Sequence, residues 1–463
     1  MIKISLLTIL LLSPSAIANM SFEQWQNREH QAFVEYQTQQ DRAFVDMLKK
    51  EWLDYHAVQT PTPYQKPKPT TQPTLQIEPQ PQEIIKVLPD QPKEESTHRP
   101  SKKPLFGEER ASFDFFGIDI EILYNKKLEQ NIETISSLKI ANFWNKISSC
   151  DYIPLIKQIK EYQNIYKLDD WSTYLLVKNI AKKINITQNS QTLLSWFILT
   201  KLGIDSRVGF SSNTISLLIH SQDMIYGVKF FRLHSKRYYN FESKNSSRLK
   251  IYRSQIEELH AIKFTPQTPK IPMDIVEKNI RFTYQDREYR ITFPYNENLI
   301  KLYNTYPQLD YNRYTKLSSV SHRFITQRLL PMVSSMNQIE AINFLLRLTQ
   351  NGFKYKTDHE NFGREKVMFF EETLHYAYSD CEDRAIFFAI LIRELLDLDI
   401  VFVKYPNHLA TAIEINSKIE GEKIIYNNRQ YYIADPTYSS ANIGQAMPHL
   451  KGQKIKIIEK GKI

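Results

Sequence analysis

The sequence predicts an α+β protein built from several units, and three observations carry that prediction. Helical and strand periodicities alternate along the chain, a proline-rich stretch divides it, and one order of elements occurs twice. At 463 residues the chain exceeds one ordinary core. The expected units are a leader at 1–18, an amphipathic helix at 19–58 and a proline-rich linker at 59–104. An α+β unit at 105–270, a bridging β segment at 271–320 and a second α+β unit at 321–463 complete the chain.

Residues 1–18 have the form of a cleavable export signal: Lys3 opens it, residues 4–12 are apolar, and Ala16, Ile17 and Ala18 offer a cleavage site. The apolar run is shorter than the roughly twenty residues that cross a bilayer, and no later segment is long and apolar enough. After cleavage the chain is therefore expected in a periplasm or outside the cell, with no integral membrane segment. Lys+Arg 60 against Asp+Glu 51 gives a net charge of +9 spread along the sequence, which fits solubility and not nucleic-acid binding. Two cysteines, Cys150 and Cys381, exclude a disulfide framework and leave at most one bridge.

From 21 to 58 neither Pro nor Gly occurs, and apolar residues return every eleven positions: Phe22, Phe33, Phe44 and Tyr55, then Trp25, Tyr36, Met47 and Val58. Eleven residues over three turns is about 3.67 per turn, a helical seam of coiled-coil type. It is expected to fold back on the body, or to serve self-association or partner binding. The stretch 61–104 holds eleven of the 22 prolines and reads as an extended spacer, with a small apolar cluster at Ile84, Ile85, Val87 and Leu88.

The unit at 105–270 opens with a strand at 115–122. Its centre is a helix at 192–205 that ends at Gly203, followed by strands at 206–210, 215–220, 224–232 and 238–241. Helix, strands and a tyrosine pair come in the order found again near the C-terminus, so this unit reads as a degenerate copy of the second. No cysteine stands at its helix start, near Ser190. Between the units, 281–284 and 289–293 read as a hairpin around Asp286 and Arg287.

In the last third, Ile339, Ile342, Leu345, Leu346 and Leu348 mark a helix closed by Asn351 and Gly352. The segment YSDCEDRA at 378–385 then sets Ser379 and Glu382 at capping-box spacing, with Cys381 in the first turn of a helix whose apolar face is Ala385, Phe388, Ala389, Ile392, Leu395 and Leu396. A thiol is a poor nucleophile until ionised, and the free amides of a helix start favour the thiolate. Glu382 and Asp383 oppose that, so an imidazole is needed. Downstream of Cys381 the histidines are His408, opening the strand 409–415, and His449 in the tail. After His408 the single aspartate is Asp435, held extended before Pro436 at the end of strand 431–434. Cys381, His408 and Asp435 stand 27 residues apart at each step. Together they form a nucleophile, a base and a carboxylate that orients the base.

At these residues the sequence resembles the transglutaminase-like superfamily, bacterial cysteine-peptidase type, over roughly 338–438. SDCEDRA at 379–385 is similar to the family's cysteine motif, NHLATAI at 407–413 to its histidine motif and YYIADPT at 431–437 to its aspartate motif. The resemblance implies a papain-like α+β fold, a thioester intermediate and an oxyanion hole built from the Cys amide and often an upstream aromatic. Tyr376 or Tyr378 is the candidate here, with Arg364 as a polar residue of the cleft. Where the family often has Gly before the Cys, this chain has Ser379 and Asp380. The expected activity is cleavage of a peptide or amide bond in a protein or peptide substrate. The alternatives are acyl transfer from protein glutamine, or a peptide-binding scaffold without catalysis. No metal cluster is legible, and with 11 glycines and no phosphate loop no cofactor is expected.

Overall fold

The computed structural model describes residues 31, 35, 38–50, 52–61, 85–87, 108–242, 247–253, 259–264 and 268–458. The expected leader, the first part of the eleven-residue repeat and most of the proline-rich linker lie outside the described residues. The architecture is a mixed α+β one.

A first helix, α1, covers 38–48. Its Asp41 is buried and accepts from Trp144 Nε1 at 3.0 Å and Lys201 Nζ at 2.6 Å. Phe44 meets the Trp144 and Trp196 rings at 4.5 and 5.7 Å. This part of the repeat therefore packs on the body of its own chain. The helix does not continue to 58 as the repeat suggested. Trp52 Nε1 donates to the Leu48 carbonyl at 2.8 Å, closing the helix end, and Trp52–His56 is a strand, β1, paired antiparallel with Arg248–Tyr252. The β-favouring residues Trp52 and Tyr55 find backbone partners there and Val58 finds one at Phe230, and tertiary pairing overrides the helical period.

Ile85–Val87 follows as β2. The first half of the body then begins with a hairpin, β3 (Glu108–Phe115) and β4 (Ile118–Asn125), where a single strand at 115–122 was expected. The chain reverses at Phe116 and Gly117, both at positive φ. Helices α2 (Ser137–Ser148), α3 (Ile153–Tyr166), α4 (Asp170–Ile184) and α5 (Gln188–Lys201) come next. A sheet of β5 (Ser206–Phe210), β6 (Ile215–His220), β7 (Phe230–Leu233), β8 (Lys236–Tyr239) and β9 (Arg248–Tyr252) completes this half.

The second half opens with β10 (Ile275–Tyr284) and β11 (Arg287–Asn296), a hairpin turned at Gln285 and Asp286. Helices α6 (Glu297–Tyr303), α7 (Ser319–Phe324), α8 (Leu330–Val333) and α9 (Gln338–Gly352) follow; a π-turn at Ile325–Leu329 joins α7 to α8. Short elements β12 (Lys354–Tyr355), α10 (Asp358–Phe362), α11 (Phe370–His375) and β13 (Tyr378–Ser379) lead to α12 (Cys381–Leu396). The last sheet holds β14 (Ile400–Tyr405), β15 (His408–Glu414), β16 (Lys423–Tyr426), β17 (Arg429–Ala434) and β18 (Lys456–Ile458).

The hairpin at 275–296 is not a bridge between units. Its Tyr284, Phe282 and Tyr289 rings lie 5.6, 5.2 and 5.0 Å from Phe344 of α9, so it belongs to the second half. The first hairpin is held to α3 in a similar way, by Tyr162 and Gln158 on the main chain of Glu121 and Leu123. Strand β2 adds parallel to β11, opposite Tyr289–Ile291, so part of the proline-rich stretch docks on this hairpin.

Both sheets have one topology. The first runs β1-β9-β5-β6-β8-β7 and the second β18-β14-β15-β17-β16. With β9 matched to β18 the orders coincide, and β1 is the extra strand. The register coincides as well. Ser206 faces Ile219 as Ile400 faces Ile413, and Ile219 faces Tyr239 as Ile413 faces Tyr432. Asp205 accepts from the Tyr238 hydroxyl and pairs with Lys236; Asp399 accepts from the Tyr431 hydroxyl and pairs with Arg429. Each half of the body thus has a hairpin, helices and a sheet of the same strand order and register.

One continuous apolar core runs through both halves, between the helices and one face of each sheet. Smaller clusters cover the opposite faces, around Tyr238 in the first and Tyr431 in the second. Polar ties join the halves: Trp171 Nε1 donates to Thr305 at 3.1 Å, Tyr306 to Asp169 at 2.6 Å, and Arg313 to Asp223 at 2.7 Å. Among the described residues no helix is long and apolar enough to cross a membrane.

Candidate active site

Cys381 is the first residue of α12, where a main-chain N–H has no acceptor within its own helix. The cap is Asp380, not Ser379. The Asp380 N–H donates to Asp383 at 3.1 Å, so the capping partners sit one residue later than the sequence suggested. Glu382 is thereby released from capping, and Cys381 Sγ donates to its Oε2 at 3.2 Å. Arg384 is buried and ties the helix start to the end of α9. It donates to Ser379 Oγ at 3.2 Å and to the carbonyls of Gln350 and Phe353 at 3.2 and 2.7 Å. Burial pulls this guanidinium down to about 10.

His408 opens β15 and Asp435 follows β17, the neighbouring strand. His408 Nε2 lies 2.8 Å from Asp435 Oδ2, with side chains 7% and 1% exposed. The second Asp435 oxygen accepts the Thr437 N–H at 2.9 Å, which orients the carboxylate, and Gln350 Nε2 donates to the Asp435 main-chain carbonyl at 3.0 Å, which holds the backbone there. Cys381 also acts on the imidazole, although the hydrogen bond of its own Sγ goes to Glu382. Burial alone would lower the His408 pKa, but the Asp435 carboxylate, its hydrogen bond and the contact with Cys381 outweigh that and raise it to about 10. The structure therefore brings together the three residues that the sequence singled out.

A cavity of about 140 Å³ reaches this group at His408. Lys404, Tyr405 and the turn at Pro406 and Asn407 form one wall, Lys456 and Ile458 of β18 a second, and the loop at Asp310 and Tyr311 a third. Lys404 Nζ stands 5.8 Å over the Tyr311 ring. The other expected cleft residues do not line this cavity. The Tyr376 hydroxyl donates to Asn304 at 2.7 Å, Tyr378 lies under Lys356 at 5.2 Å, and exposed Arg364 donates to the neighbouring Glu365 carbonyl.

Acidic groups also gather at the start of α12. Ligand atoms of Asp380, Cys381 and Glu382 lie within 4.8 Å of one another, as do those of Asp358, Asp380 and Asp383, and of Asp358, Glu365 and Glu382. Two of these carboxylates have structural duties. Asp383 accepts the Met368 N–H at 2.9 Å and Asp358 the Lys366 N–H at 2.8 Å, which binds the preceding loop to the helix. The sequence reading missed this assembly, although the run DCED at 380–383 was its visible half.

In the first half the same register places Thr214 where His408 stands and Glu242 where Asp435 stands. Counted back from Asp205 and Asp399, Thr187 takes the place of Cys381; the sequence reading had put this position near Ser190. Thr187 caps α5, and Glu242 pairs with Lys178 and accepts from the Tyr174 hydroxyl at 3.3 Å. The nucleophile and base positions of the first half hold residues unable to do that chemistry.

Comparison of the chain with models of known protein families, with curated proteins and with solved structures gives no match.

Proposed function

We propose that the chain is an exported cysteine hydrolase of the transglutaminase-like kind, which cleaves a peptide or amide bond through an acyl thioester. The observation that carries this reading is the buried His408–Asp435 pair, with Cys381 at the helix start near enough to act on the imidazole. His408 takes the thiol proton and the thiolate adds to the amide carbonyl. The tetrahedral oxyanion forms beside the Cys381 main-chain N–H. His408 then protonates the departing amine. The Asp435 carboxylate raises the His408 pKa, so the imidazole holds the proton it takes, is a counter-charge for the thiolate and supplies the acid for that step. Water, deprotonated by His408, attacks the thioester, releases the carboxylic acid and restores the thiol. Asp435 keeps the ring in place and supports its positive charge throughout.

Lys404 and Lys456 at the cavity favour water as the acceptor, because a lysine amine arriving as a cation would meet two like charges. Export rests on the leader-like segment 1–18. The test is turnover of a proteome-derived peptide library by the full chain. Cys381→Ala is expected to lower it by more than about a thousandfold. Cleavage that survives the substitution refutes the proposal.

A further inference from the structure

Lys404 and Lys456 face each other directly across β14 and β18, and both line the cavity that reaches His408. Like charges directly opposite in a sheet are destabilising, and a bound anion would relieve the repulsion. Asp310, an acid in the same lining, holds the Tyr226 hydroxyl at 2.8 Å. Beyond these lysines β18 is the outermost strand of its sheet, and among the described residues nothing pairs with its free side.

The first half shows what that side accepts. Phe210 faces Lys250 as Lys404 faces Lys456, so Lys250 is the positional counterpart of Lys456 and Arg248 that of Lys454. There β1 occupies the outer side of β9 in antiparallel register, with Asp54 opposite Lys250 and its carboxylate 3.0 Å from Arg248. The Asp54 carboxyl is held below the usual range by its hydrogen bond to Arg248. An extended segment with an acid at this level thus already lies on one copy of the edge.

We propose that the second copy takes the same kind of segment from the substrate: an acidic peptide, extended and antiparallel along the open side of β18, with a carboxylate at Lys456. This deepens the hydrolase reading and rests on it. Antiparallel to β18 means parallel to β14, so the peptide runs toward the turn at Pro406 and Asn407 and on to His408. The acid then lies on the N-terminal side of the scissile bond. Three strand spacings separate the docked peptide from β15, about 14 Å, which about four residues span.

The experiment is cleavage of a proteome-derived peptide library by the full chain and by Lys404→Gln/Lys456→Gln, with cut sites mapped by mass spectrometry and Cys381 alkylation by iodoacetamide followed in parallel. The expected result is Asp and Glu enriched roughly threefold about three to five residues before the cut, as a single well-placed charge pair would give. The double variant loses the enrichment, and its circular dichroism shows the fold retained. Cleavage without acidic enrichment, or with enrichment indifferent to the substitutions, overturns the inference and leaves the hydrolase reading standing. A wild-type chain that cleaves nothing, with Cys381 alkylated no faster than a free thiol, overturns both.

Discussion

The two halves of the body have one scaffold and different chemistry. Each has a hairpin, a set of helices and a sheet of the same strand order, and each retains an aspartate that links a tyrosine to a basic residue: Asp205 with Tyr238 and Lys236, Asp399 with Tyr431 and Arg429. At the triad positions they part. Thr187, Thr214 and Glu242 stand in the first half against Cys381, His408 and Asp435 in the second. The difference separates two kinds of buried polar group. The aspartate that joins a tyrosine to a basic residue occurs in both halves, and a Cys, His and Asp at the three compared positions occur in one. Glu242 shows the change in miniature: it retains a carboxylate but binds Lys178 and Tyr174 with it.

Substituting the two carboxylates in parallel sharpens that comparison most. Asp435→Asn removes the charge that holds His408 and is expected to lower turnover by about three to four orders of magnitude, with the fold retained. Glu242→Gln removes a partly exposed ion pair and is expected to cost roughly 1 kcal/mol of stability with turnover unchanged. Equal effects of the two on rate would erase the distinction between the halves.

A second contrast concerns pH. The His408 pKa is raised to about 10, against about 6.5 for a free imidazole. The folded state thus holds this proton more tightly than the unfolded one. Its contribution to stability is complete below about 6.5 and is lost as pH climbs through about 10. Thermal denaturation followed across that window is expected to show the midpoint falling with rising pH. Asp435→Asn flattens the slope, whereas Glu242→Gln leaves it in place. A slope untouched by Asp435→Asn would disconnect His408 from the effect.

Much of the second half was legible because local pattern and tertiary role agree there. The strands at β14, β15 and β17, the helix behind Cys381 and the placing of His408 beside Asp435 follow from periodicity, capping chemistry and the scarcity of competing His and Asp residues. One order of elements was read twice in the sequence, and the two sheets have the same strand order. What escaped was set by partners distant in sequence. The period of eleven runs on through Tyr55 and Val58, but pairing with β9 makes 52–56 a strand and Val58 bridges to Phe230. The hairpin at 275–296 looked like a bridge because alternation marks a strand without saying what it packs on. Capping moved by one residue because Asp380 and Asp383 offer the same spacing one position later. The cavity joins residues near 310, 405 and 457, and nothing local announces it.

The central claim, that the second half alone carries an activated thiol, can be tested without a substrate. The chain has two cysteines, both buried and neither in a disulfide. Cys381 is 1% exposed and Cys150 8%, so access alone favours Cys150. Burial pushes the Cys150 thiol up to about 11, and its Sγ donates to the Ile147 carbonyl at 2.9 Å. Site-resolved alkylation by iodoacetamide near neutral pH is expected to label Cys381 at least about tenfold faster than Cys150, and His408→Ala to remove that advantage. Labelling of Cys150 first, or a Cys381 rate indifferent to His408→Ala, would contradict the account.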